Sequence, residues 1–514
     1  MRPHGSPGFG RNREQGSARR EDHQHGPHTR YSPTTSDFFS EERIRLTFLI
    51  LLASTIFFSK LGLNGMANFD DCFYAQKAKE MVQSGNWLAQ TFNHQVQFGN
   101  APLYIWLAAL SYKVFGVTVF AAKFPSALMA LATVILTYFI GKFLFNSWTG
   151  FAAGVILSTT YTFFKYARHC MLDVTLAFFC ALALFAVVLA MRKNRNYFWL
   201  WGLAIGLAFL TKSALGLFPL IVTFLFVVLD RQWKVLAWPA FWGGLLLQAG
   251  IIGWWCWSQY QINGPLFLEE HLRGVILQKA YMGETPPWYQ HFSFLVDMLT
   301  FDWLWSPLMA WGLWRLVKKI QTNHSTALFL LLWCLTLPLV MSLARYRMPW
   351  YLMQVFPALA LAAASALSEV FSDYDRDKWT RWHISIGTIL IILVNIQPFP
   401  LDMDREKDVR LVAPYVKYCG EKGAKVIGLR DDYYGLNNAL LFFSDYAAQP
   451  LYSNVDQVQK EFEAASLVVC VAHQGDLPEL QKGLKEWYPV KVTDNMVLIS
   501  NQKLDATAVK TDTN

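Results

Sequence analysis

The stretch Met171-Leu-Asp-Val-Thr-Leu-Ala-Phe-Phe-Cys-Ala-Leu-Ala-Leu-Phe-Ala-Val-Val-Leu-Ala190, followed by Met191-Arg192-Lys193-Asn194-Arg195, decides the fold class. A helix needs about 20 mainly apolar residues to cross the hydrocarbon of a bilayer, and this run supplies them. The acid near its start, Asp173, sits at the span end, and the basic cluster after it is a cytoplasmic flank. Similar runs recur at about 44–63, 121–141, 149–167, 197–211, 214–229, 235–257, 295–314, 325–343, 350–370 and 383–399. The chain therefore reads as an all-α polytopic membrane protein of about 11–13 transmembrane helices.

Composition agrees. Of 514 residues 54% are hydrophobic and 16% charged, whereas soluble domains carry roughly a quarter charged residues. The formal net charge of +8 is scattered between the apolar runs instead of gathered into a patch, which argues against a nucleic-acid partner and makes the bilayer the expected one. The seven cysteines show no CxxC and no zinc spacing, so no structural metal is expected. Cys419 and Cys470 lie in the soluble-looking C-terminal part, where the compartment would permit a disulfide that sequence alone does not decide.

With residue 1 in the cytoplasm, Lys142, Arg192/Lys193/Arg195, Arg231/Lys234, Arg315/Lys318/Lys319 and Arg376/Lys378/Arg381 all fall on that side. The other side then receives a first external loop, 64–120, the 168–173 turn, Thr211-Lys212, a second large loop, 258–294, the Arg345–Tyr351 turn and everything after about 400. Residues 1–42 are rich in Gly, Pro, Ser, His and Arg with no apolar run, and read as a disordered cytoplasmic tail. They show no signal-peptide pattern. Residues 43–400 read as the transmembrane domain, and 401–514 as a small extracytoplasmic α/β domain. Its strand-like runs are Lys425–Arg430, Ser466–Val471 and Met496–Ser500.

The first external loop carries Asn68-Phe-Asp70-Asp71-Cys-Phe-Tyr74-Ala75-Gln-Lys-Ala78-Lys-Glu80-Met81, an acidic pair opening an amphipathic helix. Such acids can simply complement the helix dipole. Further along stand Gly85-Asn-Trp87, Phe98-Gly99-Asn100-Ala101-Pro102-Leu103, Phe124-Pro125-Ser126-Ala127-Leu128, Ala167-Arg168-His169-Cys-Met-Leu172-Asp173, Leu210-Thr211-Lys212, Glu270-His271-Leu-Arg273 and Arg347-Met-Pro349-Trp-Tyr351. In this order, and on one side of the membrane, they resemble the GT-C glycosyltransferases. The particular likeness is to the aminoarabinose lipid A transferases and the dolichyl-phosphate-mannose protein O-mannosyltransferases.

The resemblance implies an inverting glycosyltransferase. Its donor would be a pentose or hexose, such as aminoarabinose or mannose, on a polyprenyl monophosphate. The acceptor would be a hydroxyl or phosphate of an envelope lipid, glycan or protein outside the cytoplasm, at the inner membrane. It further implies Asp70 as base, with Asp71 beside it and Asp173 as a second acid shaping the sugar pocket. Arg273, Tyr351, Arg347, Lys212 and Asn100 fall at positions that would meet the donor phosphate, with Glu270, His271, Tyr74 and Arg168 elsewhere in the pocket. The chain departs from the family where Asn100 replaces a Lys and Gly99 an acid, so a metal at His271 is not expected, nor any other cofactor. A protein that binds or translocates the lipid-linked sugar without catalysis is the alternative. A secondary transporter fits less well, since no internal repeat is visible.

Overall fold

In the computed structural model of the protein, the described residues are 35–63, 65–66, 69–271, 287, 296, 300–343, 348–397, 401, 406–430, 436–463, 466–505 and 509. Most of the N-terminal tail therefore lies outside them. The chain divides into two compact units, Met1–Arg43 and Ile44–Asn514, and the second takes in both the helical bundle and the C-terminal sheet.

The bundle begins with α1 (Thr35–Phe58) and α2 (Asp70–Ser84). Asp70 and Asp71 occupy the first turn of α2, and Gly85 ends it at φ +71°, its N–H donating to the Met81 carbonyl. A two-stranded ribbon, β1 (Thr91–Phe92) and β2 (Gln95–Val96), leads to α3 (Leu103–Phe115). Next come α4 (Val119–Leu144), capped by the Thr118 hydroxyl, and α5 (Ser147–Thr159), capped by the Asn146 side chain.

The sequence suggested one continuous span over 149–167. Instead the helix breaks at Thr160, whose ψ of 121° is extended, and resumes as α6 (Tyr161–Ala167). Asp302, buried and far along the chain, receives both the Thr162 N–H and the Thr162 hydroxyl at 2.8 Å. That distant carboxylate satisfies the new helix start, which is why hydrophobicity alone could not locate the break.

After α7 (Leu172–Arg192) and α8 (Tyr197–Lys212), Ser213 is held at φ +40°, and a 3-10 turn leads into α9 (Phe218–Leu229). α10 (Pro239–Asn263) packs against α8 so closely that a Cβ on Gly202 would lie 2.1 Å from the Gly244 carbonyl oxygen. This is the small-residue contact by which membrane helices approach. Among the described residues six helices are long and apolar enough to cross a membrane, including Val119–Leu144, Leu172–Arg192 and Tyr197–Leu229. On the helix Asp373–Ile396, Ile389, Leu393 and Ile396 are exposed, a face suited to lipid. The chain is a multi-pass membrane protein.

The C-terminal sheet comprises β3 (Lys425–Leu429), β4 (Leu451–Tyr452), β5 (Val468–His473), β6 (Tyr488–Val492) and β7 (Met496–Ser500). Its order is β4-β3-β5-β7-β6, with β3 parallel to β4 and β5 and the rest antiparallel. Sequence patterning found the three central strands because both of their faces are covered. It missed β4 and β6, one very short and the other mostly exposed. Ile427, Cys470 and Ile499 share one core, whereas Val469 and Leu498 pack in another with Val412, Val416 and Cys419. Cys419 and Cys470 are both buried, free thiols.

Candidate active site

The turn between α6 and α7 and the start of α2 meet around a cavity of about 430 Å³, within the range of small-molecule sites. Asp70 and Asp71 open onto it from α2, Lys123 from α4, Lys165 and Tyr166 from α6, and His169 from the turn. Trp350 closes another side, its ring 5.4 Å from that of Tyr166. Asp71 is buried, and its Oδ2 lies 2.8 Å from His169 Nδ1. The carboxylate accepts, so His169 carries its proton on Nδ1 when neutral. Lys123 is buried, and its ammonium donates to the Gly65 carbonyl at 3.0 Å.

Beside this cavity, Lys212 Nζ lies 2.6 Å from Asp173 Oδ1 and 4.4 Å from the centre of the Tyr351 ring. Lys212 ends α8, Asp173 opens α7, and Tyr351 sits in the 3-10 helix Pro349–Val355, so three elements converge on one ammonium. Tyr74 is buried on α2, and burial pushes its phenol well above the ordinary range, with the charges of Asp70 and Asp173 adding to the rise. Asp70, Tyr74 and Lys77 fall at i, i+4 and i+7 on α2, a single face.

Lys77 was not singled out by sequence. Its buried ammonium lies 3.1 Å from Asn100 Oδ1 and 4.4 Å from the centre of the Phe73 ring. A cation therefore reaches the place where the resemblance expects Lys and this chain has Asn100. Two other expected pocket residues serve differently. Arg168 is buried, and its Nη1 donates to the carbonyls of Ile56, Phe57 and Ser59, closing the C-terminal end of α1. Glu270 is exposed. Arg273 and Arg347 lie outside the described residues.

His271 is buried between Trp255 and Phe267. Its Nδ1 is 2.7 Å from the Phe98 carbonyl and its Nε2 3.0 Å from the Ser213 hydroxyl. Burial lowers its pKa, opposed by the bond to Phe98, so the neutral ring donates to the carbonyl and accepts from the hydroxyl. Both nitrogens are engaged. Gly99, next to Phe98 in the chain, offers no side-chain ligand beside the ring.

Residues 99–257 match the family described as dolichyl-phosphate-mannose-protein mannosyltransferase. The chain is 28% identical over 324 residues to an undecaprenyl phosphate-alpha-4-amino-4-deoxy-L-arabinose arabinosyl transferase of Pseudomonas fluorescens, which covers 60% of this chain and 57% of that one. It is also 28% identical over 326 residues to an uncharacterised Aquifex aeolicus protein, covering 62% of this chain and 64% of the relative. The aligned parts thus span about six-tenths of the curated relatives it matches. In structure it superposes on ArnT from Cupriavidus metallidurans bound to undecaprenyl phosphate with a TM-score of 0.72 at 17% identity, covering 91% of this chain and 99% of that one. The fold is that of the GT-C glycosyltransferases. In sequence the chain resembles the aminoarabinose transferases and the protein mannosyltransferases.

Proposed function

We propose that this protein is an inverting glycosyltransferase that moves a sugar from a polyprenyl-monophosphate carrier to an envelope lipid, glycan or protein on the non-cytoplasmic side of the membrane. The observation that carries the reading is the Lys212 ammonium held between Asp173 and Tyr351 beside a cavity lined by Asp70 and the Asp71–His169 pair. Transfer needs positive charge where the phosphate departs and a base where the acceptor loses its proton. Lys212 supplies the first, with Lys77 bringing a second cation to the Asn100 position. Asp70 and His169 are the candidates for the second. The apolar bundle suits a polyprenyl tail lying among lipid-facing helices, and the charge alternation supports a cytoplasmic N-terminus with the C-terminal sheet outside.

The test is a reaction in lipid nanodiscs with polyprenyl-phosphate aminoarabinose and polyprenyl-phosphate mannose as separate donors. Acceptors are taken from the envelope of a strain lacking the protein. Release of polyprenyl phosphate, coupled to a mass gain on one acceptor, is the expected result. Tight donor binding with no release in any combination would leave a binding or translocating protein as the better account.

A further inference from the structure

Two groups on the same cavity could accept the acceptor's proton, and the structure distinguishes them. Asp70 and Asp71 both stand in the first turn of α2, Asp70 half-buried on the cavity and Asp71 buried beneath it. The Asp71 carboxylate, set 2.8 Å from His169 Nδ1, fixes the ring and its tautomer, and it offsets the positive charge that appears if the ring takes a proton. His169 is itself a cavity-lining residue whose side chain keeps 21% of its exposure, and its Nε2 has no partner among the described residues. One nitrogen is anchored and the other is open.

We infer that His169 is the proton acceptor for the incoming hydroxyl and that Asp71 is the residue that positions it. The inference rests on the transferase reading above. In the step, the acceptor O–H proton passes to His169 Nε2 while the oxygen lone pair forms the new bond to the anomeric carbon. The bond from that carbon to the phosphate oxygen breaks, and its electron pair leaves with the polyprenyl phosphate beside Lys212. The imidazolium, held against Asp71, then returns its proton to water. Carboxylate, imidazole and open nitrogen are arranged as in other carboxylate-oriented histidine bases, a similarity of geometry and not of fold. Lys165 and Lys123 line the same cavity, so cations as well as carboxylates face the ring there.

The experiment uses full-length protein in nanodiscs, with the donor and acceptor that wild type turns over. It compares His169→Gln, His169→Ala with and without added imidazole, Asp71→Asn and Asp70→Asn. Positioned bases are worth about 10² to 10⁴ in rate, so both His169 variants should lose that much turnover while donor binding stays near wild type. Imidazole should restore His169→Ala at least about tenfold, which a merely structural histidine would not allow. Asp71→Asn should also fall steeply, and Asp70→Asn less than His169→Ala. Wild-type turnover in His169→Gln overturns the assignment and passes the proton to Asp70. A loss in His169→Ala that no imidazole concentration relieves overturns it as well. A wild type that binds donor without turnover would sink the transferase reading and this role together, whereas an active wild type beside an equally active His169→Gln sinks this role alone.

Discussion

The candidate site in the helical bundle and the C-terminal sheet use ionic groups in opposite ways. Around the site they are buried or half-buried and held by elements distant in sequence: Lys212 reaches Asp173 across 39 positions, and Arg168 reaches α1 across more than a hundred. In the sheet domain they sit on the outside, as where Arg430 meets Asp476 and Glu479 and Lys485 meets Glu463. The core around the sheet is left to apolar side chains and Cys470. The difference follows from solvent. A charge exposed to water gains little from a partner, whereas a buried one depends on it, so burial marks the charges that the bundle cannot lose.

The contrast breaks most visibly at Lys212. Asp173 is fully buried, so Lys212→Met leaves a charge without its ammonium and should cost about 3–5 kcal/mol. Thermal unfolding in nanodiscs should show the loss, and Asp173→Asn in the same chain should recover part of it. An unchanged melting temperature would mean that the pair is not buried in the working protein. Arg168→Leu should come next. It strips carbonyls at the end of α1 of a charged donor, and one such buried loss is worth about 1–3 kcal/mol. Because Arg168 closes a helix and does not enter the cavity, donor KM should hold while stability falls.

Between the two regions lies a contact that sharpens the comparison. Lys79 of α2 reaches the Phe442 carbonyl at 2.8 Å and Asp445 at 2.6 Å, next to the helix Leu436–Ser444 of the sheet domain. Asn438 of the same helix donates to the carbonyl of Phe69, the residue before Asp70. Burial alone would raise the Asp445 carboxyl, but Lys79 and Lys417 outweigh it and hold it below the ordinary range. A depressed folded pKa contributes stability above the unfolded value, near 3.9, that is lost as pH falls through the folded one. Protection of the α2 amides against exchange, relative to their intrinsic rates, should therefore fall below about pH 4, and Lys79→Met should remove that dependence. Smallest of all, Arg430→Ala should leave melting within error, since its partners share an exposed surface. A large shift there would mean that this surface is covered in the assembled protein.

The acids could be singled out from sequence because they announce themselves locally: Asp70 and Asp71 open a helix, and Asp173 interrupts the start of an apolar run. It was weaker on the cations. Lys77 stands two helical turns after Asp70 and could have been read from that spacing, but nothing local says that its partner is Asn100, 23 residues on. Nothing local marks Lys123 or Lys165 either. His169 lay inside a quoted motif without a role, because its role depends on a carboxylate 98 positions away.

Taken alone, the sequence determined that the chain lives in lipid, where its apolar runs fall, and which runs form the central strands of the C-terminal sheet. These properties depend on periodicity and composition, which need no knowledge of distant neighbours. Only the tertiary structure decided that α5 and α6 part at Thr160, that Arg168 supports α1 instead of the pocket, and that Asp71 is joined to His169. Each depends on a hydrogen bond between segments far apart in the chain. A buried polar group takes whichever partner the packed fold brings within about 3 Å, and no local pattern records that choice.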